Sequence, residues 1–204
     1  SMSAAAVEAK GRILGGAGMV DTLADALAHY RRTWPGEIAK IAEFQALLDE
    51  PTERTGLAFT RARLDGHFTA SAWLVSADRQ RVLLTHHRKL DRWLQLGGHA
   101  DGDIQLARVA LREAEEESGL TGLEGESQIF DLDRHWIPER AEEPGHWHFD
   151  VRYVVRATAS EAYVVSAESH ALAWRDIGGI AADADADPSL QRMARRWLER
   201  WRSE

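Results

Sequence analysis

Apolar residues between Val20 and Trp34 recur at three- and four-residue intervals (Leu23, Ala26, Leu27, Tyr30), the period of one helical face, and Pro35-Gly36 ends the pattern. A second stripe of Ile38, Ile41, Phe44, Leu47 and Leu48 runs from Glu37 to Glu50 and stops at Pro51. Together they predict a helical hairpin packed on a neighbouring core, serving as a structural cap or an oligomer contact, which leaves a homodimer open. The period changes at His67. Phe68 to Ser76 and Arg81 to His86 are rich in strand-forming residues, and the polar Ala77-Asp78-Arg79-Gln80 between them predicts a hairpin. Trp93 to Leu96 predicts a short strand stopped by Gly97-Gly98. Ile104 to Ser118 reads as a helix with Gly119 at its C-terminal cap. Strands are expected around Gln128 to Trp136, Trp147 to Ala157 and Ala171 to Trp174, and a last helix from Pro188 to Trp201. Ala181 to Asp187 reads as a small acidic loop. The alternation predicts an α+β domain, a mixed β-sheet flanked by helices, over residues 61–204, with residues 1–60 as a helical extension.

Composition narrows the function classes. The chain has 204 residues, 44% hydrophobic and 28% charged, enough apolar material for a full core. Its net charge of −8 argues against a broad basic surface for nucleic acid or anionic membrane. A small phosphate-bearing substrate stays open, because a bound divalent cation can reverse the local sign. Zero cysteines exclude disulfides, thiolate zinc sites and cysteine nucleophiles together. No apolar run is long enough to span a bilayer and no basic stretch leads into an apolar segment near the start, so a cytoplasmic protein is expected.

The informative stretch is Gly97-Gly98-His99-Ala100-Asp101-Gly102-Asp103, followed by Arg112-Glu113-Ala114-Glu115-Glu116-Glu117-Ser118-Gly119-Leu120. On a helix, positions i, i+3 and i+4 share a face, so Glu113, Glu116 and Glu117 project together and Glu115 points elsewhere. Three like charges there repel one another unless a cation sits among them, and clustered carboxylate oxygens suit Mg²⁺ or Mn²⁺. A solvated acidic helix face is the plainer reading of the glutamates alone.

The stretch resembles the signature of the Nudix hydrolases, G-x5-E-x7-R-E-U-x-E-E-x-G-U with U a bulky apolar residue. Counting from Gly98, Arg112, Glu113, Glu116, Glu117, Gly119 and Leu120 fall in register. The early Glu position is Ile104, with Asp103 one residue sooner, and the apolar position after Arg112-Glu113 is only Ala114. The resemblance implies a Nudix fold and cleavage of a nucleoside diphosphate linked to another moiety. It implies that Glu113, Glu116 and Glu117 hold Mg²⁺, with Mn²⁺ as a substitute. Arg112 would pair with and orient one of these carboxylates, and Gly97 and Gly98 would bring backbone close to metal or phosphate. Glu116 is the chosen general base, with Glu168 and Asp150 as candidates outside the helix.

Outside the signature, strand alternation puts His146, His148, Asp150 and Arg152 on one face, with Trp147, Phe149, Val151 and Tyr153 on the other, buried face. The first set would face the cleft and contact substrate phosphates or a further metal ion; the plainer reading is a solvent-facing strand side. His99, inside the glycine loop, is a third candidate for substrate, and Arg88 and Lys89 are candidate phosphate cations. Trp73, Trp93, Trp136 and Trp174 are expected in core or rim positions. The expected enzyme is an Mg²⁺-dependent pyrophosphohydrolase acting on a small nucleotide; isoprenoid diphosphate isomerase chemistry, which needs a cysteine, is disfavoured. The alternative is a non-catalytic Nudix-like nucleotide-binding or regulatory module.

Overall fold

A computed structural model of the chain describes residues 10–14, 22–51, 56–88, 90–165 and 171–202. Seven strands form one mixed sheet: β1 (Arg12–Leu14), β2 (Gly66–Val75), β3 (Arg81–His87), β4 (Arg92–His99), β5 (Glu124–Ile137), β6 (His146–Arg156) and β7 (Leu172–Asp176), in the order β1-β5-β6-β2-β4-β3-β7. The helices are α1 (Leu23–Thr33), α2 (Ile38–Leu48), α3 (Leu106–Ser118), α4 (Ile177–Ala182) and α5 (Pro188–Arg202). The centre of the sheet is the parallel β2–β6 pair, in continuous register from Gly66 opposite Trp147 to Val75 opposite Arg156.

Period-2 alternation in β2 and β6 sends side chains to two different helical layers. Phe68 and Ala70 of β2 and Phe149 and Val151 of β6 share one apolar cluster with Val109 and Ala110 of α3, Tyr30 of α1 and Phe44 of α2. On the other face Trp73, Val75 and Val154 pack with Met193 and Trp197 of α5. Nearer the middle of this second face the seam is ionic. Asp131 of β5 is fully buried, with 0% of its surface exposed, and accepts from Arg192 at 2.7 and 2.8 Å, Arg196 at 2.8 Å and Arg152 at 3.2 Å. Arg152 also donates to Asp150 at 2.9 Å, and Arg196 reaches Glu37 and the Tyr30 hydroxyl, joining α5 to the N-terminal helices.

Helices α1 and α2 lie on the two apolar stripes, and a 3₁₀ turn at Pro35–Glu37 precedes α2, because proline fixes its φ and cannot donate in a first turn. Gly119 closes α3 in the left-handed region at φ 71°, as its position after the last helical residue predicts. Three expectations are corrected. The β2–β3 hairpin closes only at Val75 opposite Val82, because β4 inserts between the two strands and pairs with both. β4 does not stop at Gly97-Gly98 but runs through them to His99, since Gly98 and Gly97 pair with Ala70 and Ser71. The expected acidic loop from Ala181 begins inside α4, whose N-terminus is capped by Asp176 accepting from the Gly179 N–H. Among the described residues no helix is long and apolar enough to cross a membrane.

Candidate active site

The signature helix α3 buries Leu106, Val109, Ala110, Leu111 and Ala114, which leaves the Glu113, Glu116 and Glu117 side free to face β4 and solvent. Gly98 is where strand and helix come closest. A Cβ at residue 98 would lie 2.7 Å from the Glu113 carboxyl carbon and 2.8 and 2.9 Å from its oxygens, so any side chain there would displace the Glu113 carboxylate. One turn on, Glu117 accepts a hydrogen bond from the Gly97 N–H and shares another with Glu113. Burial, followed by the charge and hydrogen bond of Glu113, pushes the Glu117 carboxyl up to about 8. Burial and the charge of Glu116 push Glu113 up as well. Glu116 is exposed on the same side. Glu115 turns away as expected, and its Oε1 accepts from the Gly11 N–H at 2.9 Å, tying α3 to the β1 segment.

Arg112 was expected to pair with one of the signature glutamates. Its ion pair is with Asp103 instead, at 3.6 Å, although its charge still favours ionised Glu113. Asp103 lies in the turn before α3 and binds Arg108 at 3.1 Å; Arg108 and Arg112 are one helical turn apart, so one carboxylate meets both. Burial pushes the Asp103 carboxyl up, and the Arg108 and Gln105 hydrogen bonds with both arginine charges outweigh it and bring it down. Ile104, at the signature's early Glu position, is exposed.

His99, His146, His148 and Asp150 collect on the other side of β4. Neighbouring strand residues point to opposite faces, so Gly98 opens toward Glu113 while the His99 ring lies 5.1 Å from that of His148. The expected alternation in β6 holds, yet both faces are covered: His146 and Asp150 are as enclosed as Phe149 and Val151, which removes the solvent-facing reading. Asp150 accepts from Thr69, Ser71 and Arg152. Two residues that sequence reasoning missed, His67 and His135, join the histidines. No local signal marks His67, which meets His148 only through the parallel register; His135 follows the alternation of Asp131 and Asp133 in β5. Trp73 is core, Trp93 and Trp174 are partly buried, and Trp136 is exposed against Trp147. Lys89 and Glu168 lie outside the described residues.

A model of the NUDIX domain matches residues 66–197, which spans the glycine loop, α3 and all but one of the sheet strands. The chain belongs to the Nudix hydrolase family. Glu113, Glu116 and Glu117 of the signature are present, with Ile104 at its early Glu position, and the enzyme class is that of a Nudix-type pyrophosphohydrolase. Among solved structures, a NUDIX-family hydrolase from Clostridium perfringens is similar at 23% identity, covering 66% of this chain and 97% of its own, with a TM-score of 0.47. The MutT protein of Methanosarcina mazei Go1 is similar at 16% identity, covering 70% and 99%, with a TM-score of 0.49. The NUDIX domain of Shewanella oneidensis NrtR, solved with ADP ribose, is similar at 23% identity, covering 74% and 99%, with a TM-score of 0.47. No curated protein matches the chain.

Proposed function

We propose that this Nudix protein hydrolyses the pyrophosphate linkage of a nucleoside diphosphate joined to another moiety, with Mg²⁺, or Mn²⁺ in its place, held by Glu113, Glu116 and Glu117. The observation that carries the reading is the enclosed Glu113–Glu117 pair, both pushed up, with the nearest arginine engaged by Asp103. A hard divalent cation relieves that repulsion, and oxygen donors are the set it prefers. When bound, it would lower the pKa of a coordinated water and neutralise phosphate oxygens.

The chain's own groups do the rest. Gly98, where a side chain would push the Glu113 carboxylate aside, keeps backbone open to substrate phosphate beside Glu113. Glu116 accepts the proton as water oxygen bonds to phosphorus and the bridging P–O bond breaks. The leaving phosphate takes the bond's electron pair, so two phosphate-bearing products form. Arg112 holds the start of the turn through Asp103, which fixes the approach of the glycine loop to α3. The acidic overall charge favours a small metabolite over a long RNA. The test is product release from a panel of nucleoside diphosphate derivatives with Mg²⁺, Mn²⁺ or EDTA. Turnover that needs the cation and vanishes in Glu117→Gln is expected. Metal-independent turnover would overturn the metal assignment, and no turnover on any member while a nucleotide still binds would favour the non-catalytic module.

A further inference from the structure

Five histidines converge at one end of the sheet, outside the carboxylate site. His67 opens β2, His146 and His148 open β6, His135 lies near the end of β5 and His99 closes β4. Register sets His67 opposite His148 across the parallel pair and His135 opposite His148 across the antiparallel one. The rings of His67, His146 and His148 have centroids 4.9 to 5.2 Å apart. A nitrogen from each of these three lies within 4.8 Å of the others, the one such group among the described residues. The Nε2 atoms of His146 and His148 face each other at 3.1 Å.

The tautomers point the same way. His67 Nδ1–H donates to the Arg63 carbonyl at 3.2 Å, and His146 Nδ1–H donates to the Pro144 carbonyl at 2.9 Å. A carbonyl only accepts, so the proton sits on Nδ1 and each Nε2 carries a lone pair. This backbone anchoring of one nitrogen is what orients the other in histidine ligands. His67 is 2% exposed and its Nε2 has no hydrogen-bond partner; the Nε2 of His99 is likewise buried and unpartnered. Unsatisfied buried nitrogens are costly, and five rings here could have been apolar at less cost.

We propose that His67, His146 and His148 bind one late first-row transition-metal ion, Zn²⁺ in the first instance, at a site separate from the signature glutamates. Three imidazole nitrogens suit such an ion and not Mg²⁺, which prefers oxygen. The ion would accept the lone pair that His67 Nε2 leaves unmatched and draw in the facing Nε2 atoms of His146 and His148. His99 stands beside the three, and Glu143 Oε1 lies 3.8 Å from His146 Nε2, so a further donor is at hand.

The test uses the full chain with any affinity tag removed. After chelation and dialysis against excess Mg²⁺, one equivalent of Zn²⁺ is added and metal content is measured by atomic emission. The expected result is about one zinc per chain that Mg²⁺ does not displace, and a rise in Tm with Zn²⁺ that Mg²⁺ does not give. His148→Gln and His146→Gln should each weaken zinc binding by about 100-fold or more, while Glu113→Gln keeps it. Because a histidine variant can misfold, the unaltered protein loaded with Co²⁺ gives a second reading: its visible spectrum should report nitrogen ligation at low coordination number. Failure to retain zinc against Mg²⁺, retention unchanged in both folded histidine variants, an oxygen-ligated octahedral Co²⁺ spectrum, or zinc lost from Glu113→Gln would each overturn the proposal. None of these outcomes depends on hydrolysis.

Discussion

Two groups of acidic side chains are enclosed by the same sheet, and the chain treats them in opposite ways. Asp131, Asp133 and Asp150 lie under α5 with Arg152, Arg192 and Arg196 bonded among them. Burial pushes the Asp133 carboxyl up, but the His135 hydrogen bond and the charges of Arg152 and Arg192 hold it far below the usual carboxylate range. Glu113 and Glu117 lie under β4 with each other for company, and both are pushed up. Asp131 and Asp150 are fully buried, whereas Glu113 and Glu117 are half-buried, yet depth alone does not set the opposite signs. What differs is whether the polypeptide supplies the cations. A group that carries its own arginines is complete when the chain folds, whereas one without them is built to take a cation from solution.

Breaking the matched group should have the largest effect. Asp131→Asn removes the charge that three arginines share, and Arg152 is fully buried, so stability should fall by about 3–5 kcal/mol. Urea unfolding reads this directly, and an unchanged midpoint would mean the arginines have other partners enough. In the unmatched group Glu117→Gln should lower kcat/KM on the order of 100-fold or more without lowering Tm, since a repulsive charge has gone. Hydrolysis within a few-fold of the parent would remove Glu117 from the metal site.

A third measurement compares the signs. The folded value near 8 for Glu117 lies above that of an unfolded glutamate at about 4.3, so the folded chain holds an extra proton between the two. Metal-free stability therefore falls as pH rises through that window and levels off above it. Asp133 is the reverse: its contribution is present above the unfolded value of about 3.9 and is lost as pH drops below it. From about pH 7.5 to about pH 9, above the ordinary imidazole range, the Tm in EDTA should drop by a few degrees. Glu117→Gln should flatten the slope, and a flat parent curve would show that the pair is unstrained. The smallest effect concerns Arg112. Arg112→Lys should cost about tenfold in kcat, because an ammonium cannot reproduce the guanidinium fork. If Arg112 acts through Asp103, adding Asp103→Asn should cost little more; additive losses would show independent roles.

The unmatched group was legible in the chain and the matched one was not, for a reason of distance. Glu113, Glu116 and Glu117 sit on a single helical turn, so the three- and four-residue rule brings them together without knowledge of the fold. Asp131, Arg152 and Arg192 come from β5, β6 and α5, and Arg192 and Arg196 read in the sequence as the ordinary polar face of a terminal helix. The same limit hid β4 between β2 and β3: Ala77-Asp78-Arg79-Gln80 signals a turn, but a turn does not say which strand fills the gap. β1, at three residues, is too short for any pattern to show.

The long β2–β6 ladder has a consequence for how the molecule assembles. Gly66 meets Trp147 and Val75 meets Arg156, so every rung joins residues about eighty positions apart, and contacts of such high sequence separation are formed slowly because a large loop must close first. Helix α3 lies wholly inside that loop, and its glutamates can line up as soon as one helical turn winds. His67 finds His148 only when the loop closes. In refolding from urea, helical signal should accordingly rise before the histidines come together, and the spectrum of Co²⁺ bound to them would clock the closing of the sheet.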